Sequence, residues 1–232
     1  VKTMISHIWI LIRNIFKKSE QIDEAKLKWN KLAKKDANYY ILTDKSVSSS
    51  EENYKHSGEQ HVKNYFLNDE ILRSVISNKS NILEIGCGNG RLSEFIAPHV
   101  GELYGVDISE EMISRARARL CHQKNITFTA TDGMSFPCES GSIDAIFSFI
   151  VFQHMPSVEV IRKNIEEISR VLARGGIAKI QLRGIPVSKN NWYYGPSFNK
   201  AGIGRIINGT SLRILKLEGE GQKYFWVWLK KS

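Results

Sequence analysis

The sequence predicts an α/β fold: a doubly wound, mostly parallel sheet that ends in an antiparallel hairpin and is preceded by a helical extension. Three observations predict it. From about residue 59, short apolar runs alternate with amphipathic helical stretches. The run SIDAIFSFIVF (142–152) is apolar on both faces, as a strand covered by helices on either side must be. The rhythm then breaks at the C-terminus, where SLRILKLEGE (211–220) and KYFWVWLK (223–230) flank Gly219 and Gly221 and read as a hairpin on the sheet edge.

The elements follow in order. Residues 1–56 read as a helical, polar extension with a Ser-rich break at SVSSSEEN (46–53), and residues 57–232 as the main domain. HVKNYFLNDEILRSVI (61–76) has the spacing of an amphipathic helix. NILEI (81–85) is a short buried strand with a glycine loop behind it. RLSEFIAPHV (91–100) is a helix stopped near Pro98. ELYGVDI (102–108) is a second strand. SEEMISRARARL (109–120) is a helix with Ser109 as its N-cap and Glu110 and Glu111 in its first turn, where the helix dipole favours acids. ITFTATD (126–132) is the third strand and 142–152 the fourth. SVEVIRKNIEEISRVLA (157–173) is a long amphipathic helix, and GGIAKIQLR (175–183) the fifth strand.

The chain has 232 residues, 42% of them hydrophobic, enough for one buried core with an appendage. Its formal net charge of +9 favours polyanionic partners without selecting one. The densest basic stretch, 26–35, is broken by Leu27, Trp29 and Leu32 at helical spacing, which is the pattern of a solvated helix face. Cys87, Cys121 and Cys138 are odd in number and far apart. They suggest neither a disulfide framework nor a metal site, and the expected compartment is a reducing cytoplasm. Residues 4–18 are the most apolar run. His7 and Arg13 interrupt it and no small-residue cleavage site follows, so it is not expected to be a signal peptide. Ile5, Ile8, Trp9, Ile12, Ile15 and Phe16 share one stripe, a candidate contact to a membrane surface, a partner protein or the domain itself through residues 5–16.

The most informative stretch is ILEIGCGNGRLS (82–93). Gly86, Gly88 and Gly90 lie just past the first strand, where ligands bind open α/β sheets and where missing Cβ atoms let a ligand approach the backbone. A dinucleotide site needs G-x-G-x-x-G, but Arg91 stands where its third glycine would be. Glu84 would repel a pyrophosphate and suits a ligand bearing an ammonium group. Asp107 ends the second strand, where an acid accepts hydrogen bonds from both ribose hydroxyls. Asp132-Gly133-Met134 ends the third strand; Asp132 can accept from an exocyclic amine and Met134 can lie against an aromatic ring. An amine, a ribose and an adenine in that order describe S-adenosylmethionine. Each residue also has a plainer role: Glu84 or Asp107 as a local cap, Asp132-Gly133 as a turn, Cys87 as a small residue in a tight loop.

ILEIGCGNGRL, LYGVDISEEMI, TATDGMSFP, SIDAIFSFIVFQHM and ISRVLARGGIAKIQ, at these spacings, resemble the successive motifs of the class I S-adenosylmethionine-dependent methyltransferases over residues 57–182. The resemblance implies a Rossmann-like, seven-stranded sheet with its last strand antiparallel. It also implies a cofactor site of Glu84, Gly86, Cys87, Gly88, Gly90, Asp107, Ile108, Asp132, Gly133, Met134 and Ser148, with no metal. Ala173-Arg174 stands before Gly175-Gly176 where the family usually has Lys-Pro, a departure in a structural turn.

The acceptor is less legible. His154, just past the fourth strand where family substrates sit, is the candidate general base, and a cap or packing role is the alternative. Gln153 and Arg183, at strand ends, and Trp192, Tyr193 and Tyr194, in the segment after the fifth strand, are candidate substrate contacts. The signature of exocyclic-amine methylation is absent after the fourth strand, and Pro137-Cys138 lies before that strand, misplaced for attack on a pyrimidine. A small-molecule acceptor methylated on oxygen or nitrogen is expected. RNA, suggested by the charge, and a silent cofactor-binding subunit are the alternatives. Trp29, Tyr39 and Tyr40 make residues 1–56 a candidate lid over the cleft, hinged at Ser46 to Asn53.

Overall fold

The computed structural model describes residues 2–42, 50–186 and 194–232, with side chains from residue 20 onward. The stripe expected at residues 5–16 and the candidate contacts Trp192 and Tyr193 therefore lie outside the described side chains. Seven strands form one sheet: β1 (Asn81–Ile85), β2 (Glu102–Asp107), β3 (Ile126–Ala130), β4 (Ile143–Ser148), β5 (Leu172–Leu182), β6 (Leu212–Glu218) and β7 (Phe225–Lys231). Their order is β3-β2-β1-β4-β5-β7-β6. The pairs from β3 to β5 are parallel; β7 runs antiparallel between β5 and β6. The expected hairpin thus forms the edge of the sheet, with its second strand against β5 and its first outermost. The order reverses between β1 and β4, which opens a cleft at the carboxyl ends of those strands.

Two apolar layers sandwich the sheet. On one side α6 (Val158–Val171) and α7 (Lys200–Ile207) bury Ile161, Ile165, Ile168 and Ile203 against Leu83, Ile146 and Ile180. On the other, Val62, Phe66, Leu72 and Ile96 cover Ile82, Phe147 and Ile177. Caps follow the sequence rules: Ser109 Oγ accepts from Met112 N at the start of α5 (Glu110–Arg119), and Ser157 Oγ from Val160 N at the start of α6.

Three boundaries differ from expectation. The helix before β1 starts at Glu51, not residue 61: Ser50 Oγ accepts from Asn53 N and caps α2 (Glu51–Val62), which runs across the expected boundary at 56/57. It continues into a π turn at Lys63–Leu67, and Asp69 then caps a separate α3 (Glu70–Arg73). The same Asp69 takes the buried Lys179 at 2.8 Å and Trp228 Nε1 at 2.9 Å, which ties this segment to the sheet. Of the expected hinge, Glu51–Asn53 is therefore helical; residues 43–49 lie outside the described residues. Finally, β4 stops at Ser148, because Ile150 has φ of 60° and turns the chain into the cleft. Positive φ is rare for a β-branched residue, and such strain collects at functional sites.

The extension is one helix with a break. α1 (Lys2–Leu42) is interrupted at Asp36, whose φ/ψ of −167°/90° is extended. Asp36 Oδ1 accepts from Tyr39 N at 3.0 Å and caps a fresh turn that redirects the chain toward the glycine loop. Among the described residues, no helix is long and apolar enough to cross a membrane.

Candidate functional site

The glycine loop follows β1 directly. Gly86, Gly88 and Gly90 have φ of 74°, 55° and 82°, conformations that other residues rarely adopt. At Gly86 space is also limiting: a Cβ there would stand 2.2 Å from Val151 Cγ2. Gly86 N and Cys87 N both donate to Val106 O, at 2.7 and 3.0 Å, which folds the loop back over β2. The helix expected after the loop is only a four-residue turn, α4 (Ser93–Ile96), too short to add a useful dipole. Cys87 is buried against Phe128, and burial pushes its thiol well above its usual range, as for an inert packing residue.

Two carboxylates flank this loop. Asp107 takes Gly88 N at 3.0 Å on Oδ2 and Ser109 N at 2.8 Å on Oδ1. It therefore caps locally and still has lone pairs left for a ligand; burial raises its pKa. Glu84 is 2% exposed. Its Oε2 accepts from Ser93 Oγ at 2.6 Å, and Oε1 has no donor among the described residues. Burial, opposed by Ser93 and by the Arg91 charge, raises Glu84 to about 7.

Both acids open on one cavity, lined from the loop by Gly86, Cys87 and Gly88, from β2 by Val106 and just past it by Ile108, and beyond β3 by Thr131 and Gly133. Four expected cofactor residues do not line it. Asp132 is exposed, and its Oδ1 accepts from Met134 N, Ser135 N and Ser135 Oγ at 2.8 to 2.9 Å, a turn closed on itself. Met134 is carried out of the cavity by that turn. Ser148 Oγ donates to Ile85 O at 2.9 Å and joins β4 to β1 below the cleft. Gly90 faces Leu120 and Phe128 instead. The sequence reading missed Asn164, which lines the cavity from α6 and whose Nδ2 donates to Gly133 O at 2.8 Å. It also missed Arg91. An asparagine on a helix face and an arginine after a glycine loop carry no distinguishing local signal.

α1 forms the roof. Ile22, Ala25, Trp29, Tyr40 and Ile41 line the cavity from above. Polar ties hold the helix there: Asn30 Oδ1 accepts from Ser109 Oγ at 2.7 Å and Glu111 N at 3.2 Å, and Lys26 meets Glu110 at 2.8 Å. Asn89 of the glycine loop donates to Asn38 Oδ1 and accepts from Tyr54 Oη, both at 2.9 Å. Tyr39 packs edge-on against Tyr40 and does not line the cavity.

At the far end the cavity is walled by Phe149, Ile150, Val151, His154 and Met155. Trp29 meets the His154 ring edge-on at 5.7 Å, and Tyr194 stacks on it at 6.2 Å. Arg183 does not reach the cavity: it lies over the Tyr194 ring at 4.4 Å and donates to Ile185 O at 2.9 Å. Gln153 also stays beneath, and an amide relay passes through it. Ile150 N can only donate, so Gln181 accepts through Oε1 at 3.0 Å. Gln181 Nε2 then donates to Gln153 Oε1 at 3.3 Å, and Gln153 Nε2 to His154 Nε2 at 3.0 Å. The relay places the ring proton of His154 on Nδ1. Among the described residues, no cluster of His, Cys, Asp and Glu could hold a metal ion.

Comparison with known proteins gives this arrangement its family. A model described as a methyltransferase domain matches residues 82–176, which run from β1 through the start of β5 and carry both acids and the glycine loop. Residues 82–176 are thus similar to the methyltransferase domain of S-adenosylmethionine-dependent enzymes. Demethylmenaquinone methyltransferase of Lactococcus lactis is 36% identical to this chain over 102 residues, covering 41% of this chain and 39% of that protein. Nodulation protein S of Rhizobium tropici is 31% identical over 97 residues, 42% of this chain and 40% of that one. The chain thus spans about two fifths of the length of these relatives. Among solved structures, a SAM-dependent methyltransferase from Aquifex aeolicus superposes with a TM-score of 0.57 at 20% identity, covering 78% of this chain and 98% of that one. Phosphoethanolamine N-methyltransferase 1 of Haemonchus contortus gives a TM-score of 0.66 at 14% identity, over 91% and 49%. At these identities the superpositions establish the fold.

Proposed function

We propose that this protein binds S-adenosylmethionine in the roofed cavity and transfers its methyl group to an oxygen or nitrogen of a small molecule. The observation that carries this reading is the placement of Glu84 and Asp107 at neighbouring strand ends, with the glycine loop between them and both facing one cavity. Glu84 is assigned to the ammonium of the cofactor, Asp107 to its ribose, and Ile108, Thr131 and Gly133 to the adenine side. When bound, the cofactor supplies a methyl group on a cationic sulfur. The protein's share is to hold an acceptor in line with it and to exclude water, which accounts for much of the acceleration in such transfers. His154 is assigned to position the acceptor. The nitrogen a base would use already accepts from Gln153, so a proton-removing role requires that amide to let go. The apolar walls around His154 favour a small acceptor over a polyanion.

Purified protein incubated with methyl-labelled cofactor should label a low-molecular-weight fraction of a metabolite extract. The charge of +9 leaves RNA as the second reading. Label that survives size separation, and is released by ribonuclease, would establish it. Any RNA binding by a small-molecule enzyme should vanish toward physiological salt, since it depends on counterion release.

The Glu84 assignment sets a pH dependence. The free site holds Glu84 near 7, and an ammonium docked against it lowers that value. The complex then binds fewer protons than the free protein below neutrality, so binding releases a proton there and affinity rises with pH up to about 7, levelling off above it. Calorimetry of S-adenosylhomocysteine binding in buffers of different ionisation enthalpy reads that proton directly. E84Q should bind more weakly and release none; an unchanged proton count in E84Q would assign the ammonium elsewhere.

A further inference from the structure

Gln181 lies one residue from the end of β5 and is fully buried, between the equally buried Ile180 and Leu182. An apolar side chain would fill this place without burying an amide. Here the amide is satisfied at every point: Oε1 accepts from Ile150 N at 3.0 Å, and Nε2 donates to Gln153 Oε1 at 3.3 Å and to Leu182 O. Two of these partners are backbone groups of fixed polarity. Ile150 N can only donate and Leu182 O can only accept, so the carboxamide has one orientation. That orientation propagates. Gln153 must turn its oxygen to Gln181 and its Nε2 to His154 Nε2, 3.0 Å away. A buried network satisfied in this way is rigid and specifies a single arrangement.

Both outer members of the network are cavity wall. Ile150 and His154 line the cavity; Gln181 and Gln153 do not. Ile150 holds φ of 60°, a strained conformation that persists only where its surroundings fix it. His154 in turn meets the edge of Trp29 in the roof. One buried amide therefore sets two walls and, through the second, a seat for α1.

We propose that Gln181 is a positioning residue for methyl transfer: it holds the Ile150 turn directly and His154 through Gln153, and so fixes the wall against which the acceptor is aligned. This rests on the reading of His154 given above. Gln181 itself touches no ligand.

The first test needs no acceptor. NMR of the full chain, labelled in the histidine ring nitrogens, is recorded at pH 8, where an ordinary imidazole is neutral; H154Q identifies the signal. The unaltered protein should show His154 as one tautomer with its proton on Nδ1. Q181M and Q153M should each show both tautomers in exchange. A proton on Nε2 in the unaltered protein, or the single Nδ1 tautomer retained in Q181M, overturns the proposal. The second test measures transfer from methyl-labelled S-adenosylmethionine into the low-molecular-weight fraction of a metabolite extract. Q181M should lose about 10- to 100-fold, the scale of a misplaced reacting group. Its calorimetric affinity for S-adenosylhomocysteine should stay close to that of the unaltered protein, because Glu84 and Asp107 bond to no member of the network. Q153M keeps the bond to Ile150, should lose less, and guards against a folding defect in Q181M. Undiminished transfer in Q181M overturns the proposal, as does a loss accounted for by weaker S-adenosylhomocysteine binding. An unaltered protein that labels no small molecule rejects the acceptor reading above, a separate result; the proposal then stands or falls on the tautomer of His154.

Discussion

Asp107→Ala is expected to weaken binding of S-adenosylmethionine and its demethylated product by roughly 2–4 kcal/mol, or about 30- to 1000-fold, the loss of two hydrogen bonds to a charged acceptor. The position makes the effect large. Asp107 ends β2 at the switch point, and its two oxygens already hold Gly88 N and Ser109 N. Removing the carboxylate deletes the proposed ribose contact and also releases the loop that supports it. Asp107→Asn separates the two parts. An amide keeps one acceptor oxygen and so half of the local ties, but it loses the charge. Asn should therefore fall between wild type and Ala in calorimetric affinity, with a melting temperature nearer wild type. Undiminished affinity in the alanine variant would reject the ribose assignment.

Much of the sheet and its cleft was legible because short-range rules govern them. Ser109 caps α5 for the same reason it looks like a cap in the sequence. Gly86 and Gly88 adopt the positive φ that only glycine takes cheaply. Asp132 shows how one local pattern carries two readings. Asp-Gly is a turn signal, and here Oδ1 of the carboxylate expected to meet adenine closes that turn, with Asp132 exposed beside the cavity rather than lining it. What the sequence did not reveal depends on partners distant along the chain. Gln181 orients His154 through Gln153, and no spacing announces that relay. Arg91 reads only as the residue in place of a third glycine; its burial comes from α2, which contacts it through Ser57 and His61. The end of β4 was placed too late, because an apolar run such as FIVF gives no warning that Ile150 will turn.

Removal of residues 1–49 is expected to leave a folded sheet domain that has lost methyl transfer by about a hundredfold or more, the scale of effect that follows from poor positioning and admitted water. The core supports the first half of that expectation. The two apolar layers are built from residues 62 onward, and α2 keeps its own cap at Ser50. The roof supports the second half. Without α1 the cavity loses Ile22, Ala25, Trp29, Tyr40 and Ile41, and Asn89 in the glycine loop loses Asn38. His154 would also lose the ring that meets its edge. Cofactor should then be held less tightly, since water would screen Glu84 and Asp107. A purely anchoring role for the extension predicts the opposite pattern: full turnover in solution, and loss only of membrane or partner association. N30A with N38A is a milder form of the same test, because it removes ties between α1 and the domain while keeping the roof residues. It should raise hydrogen exchange along α1 in the free protein, and cofactor should restore part of the protection by closing the roof. Normal turnover by the shortened chain would show that α1 covers the cavity without serving the reaction.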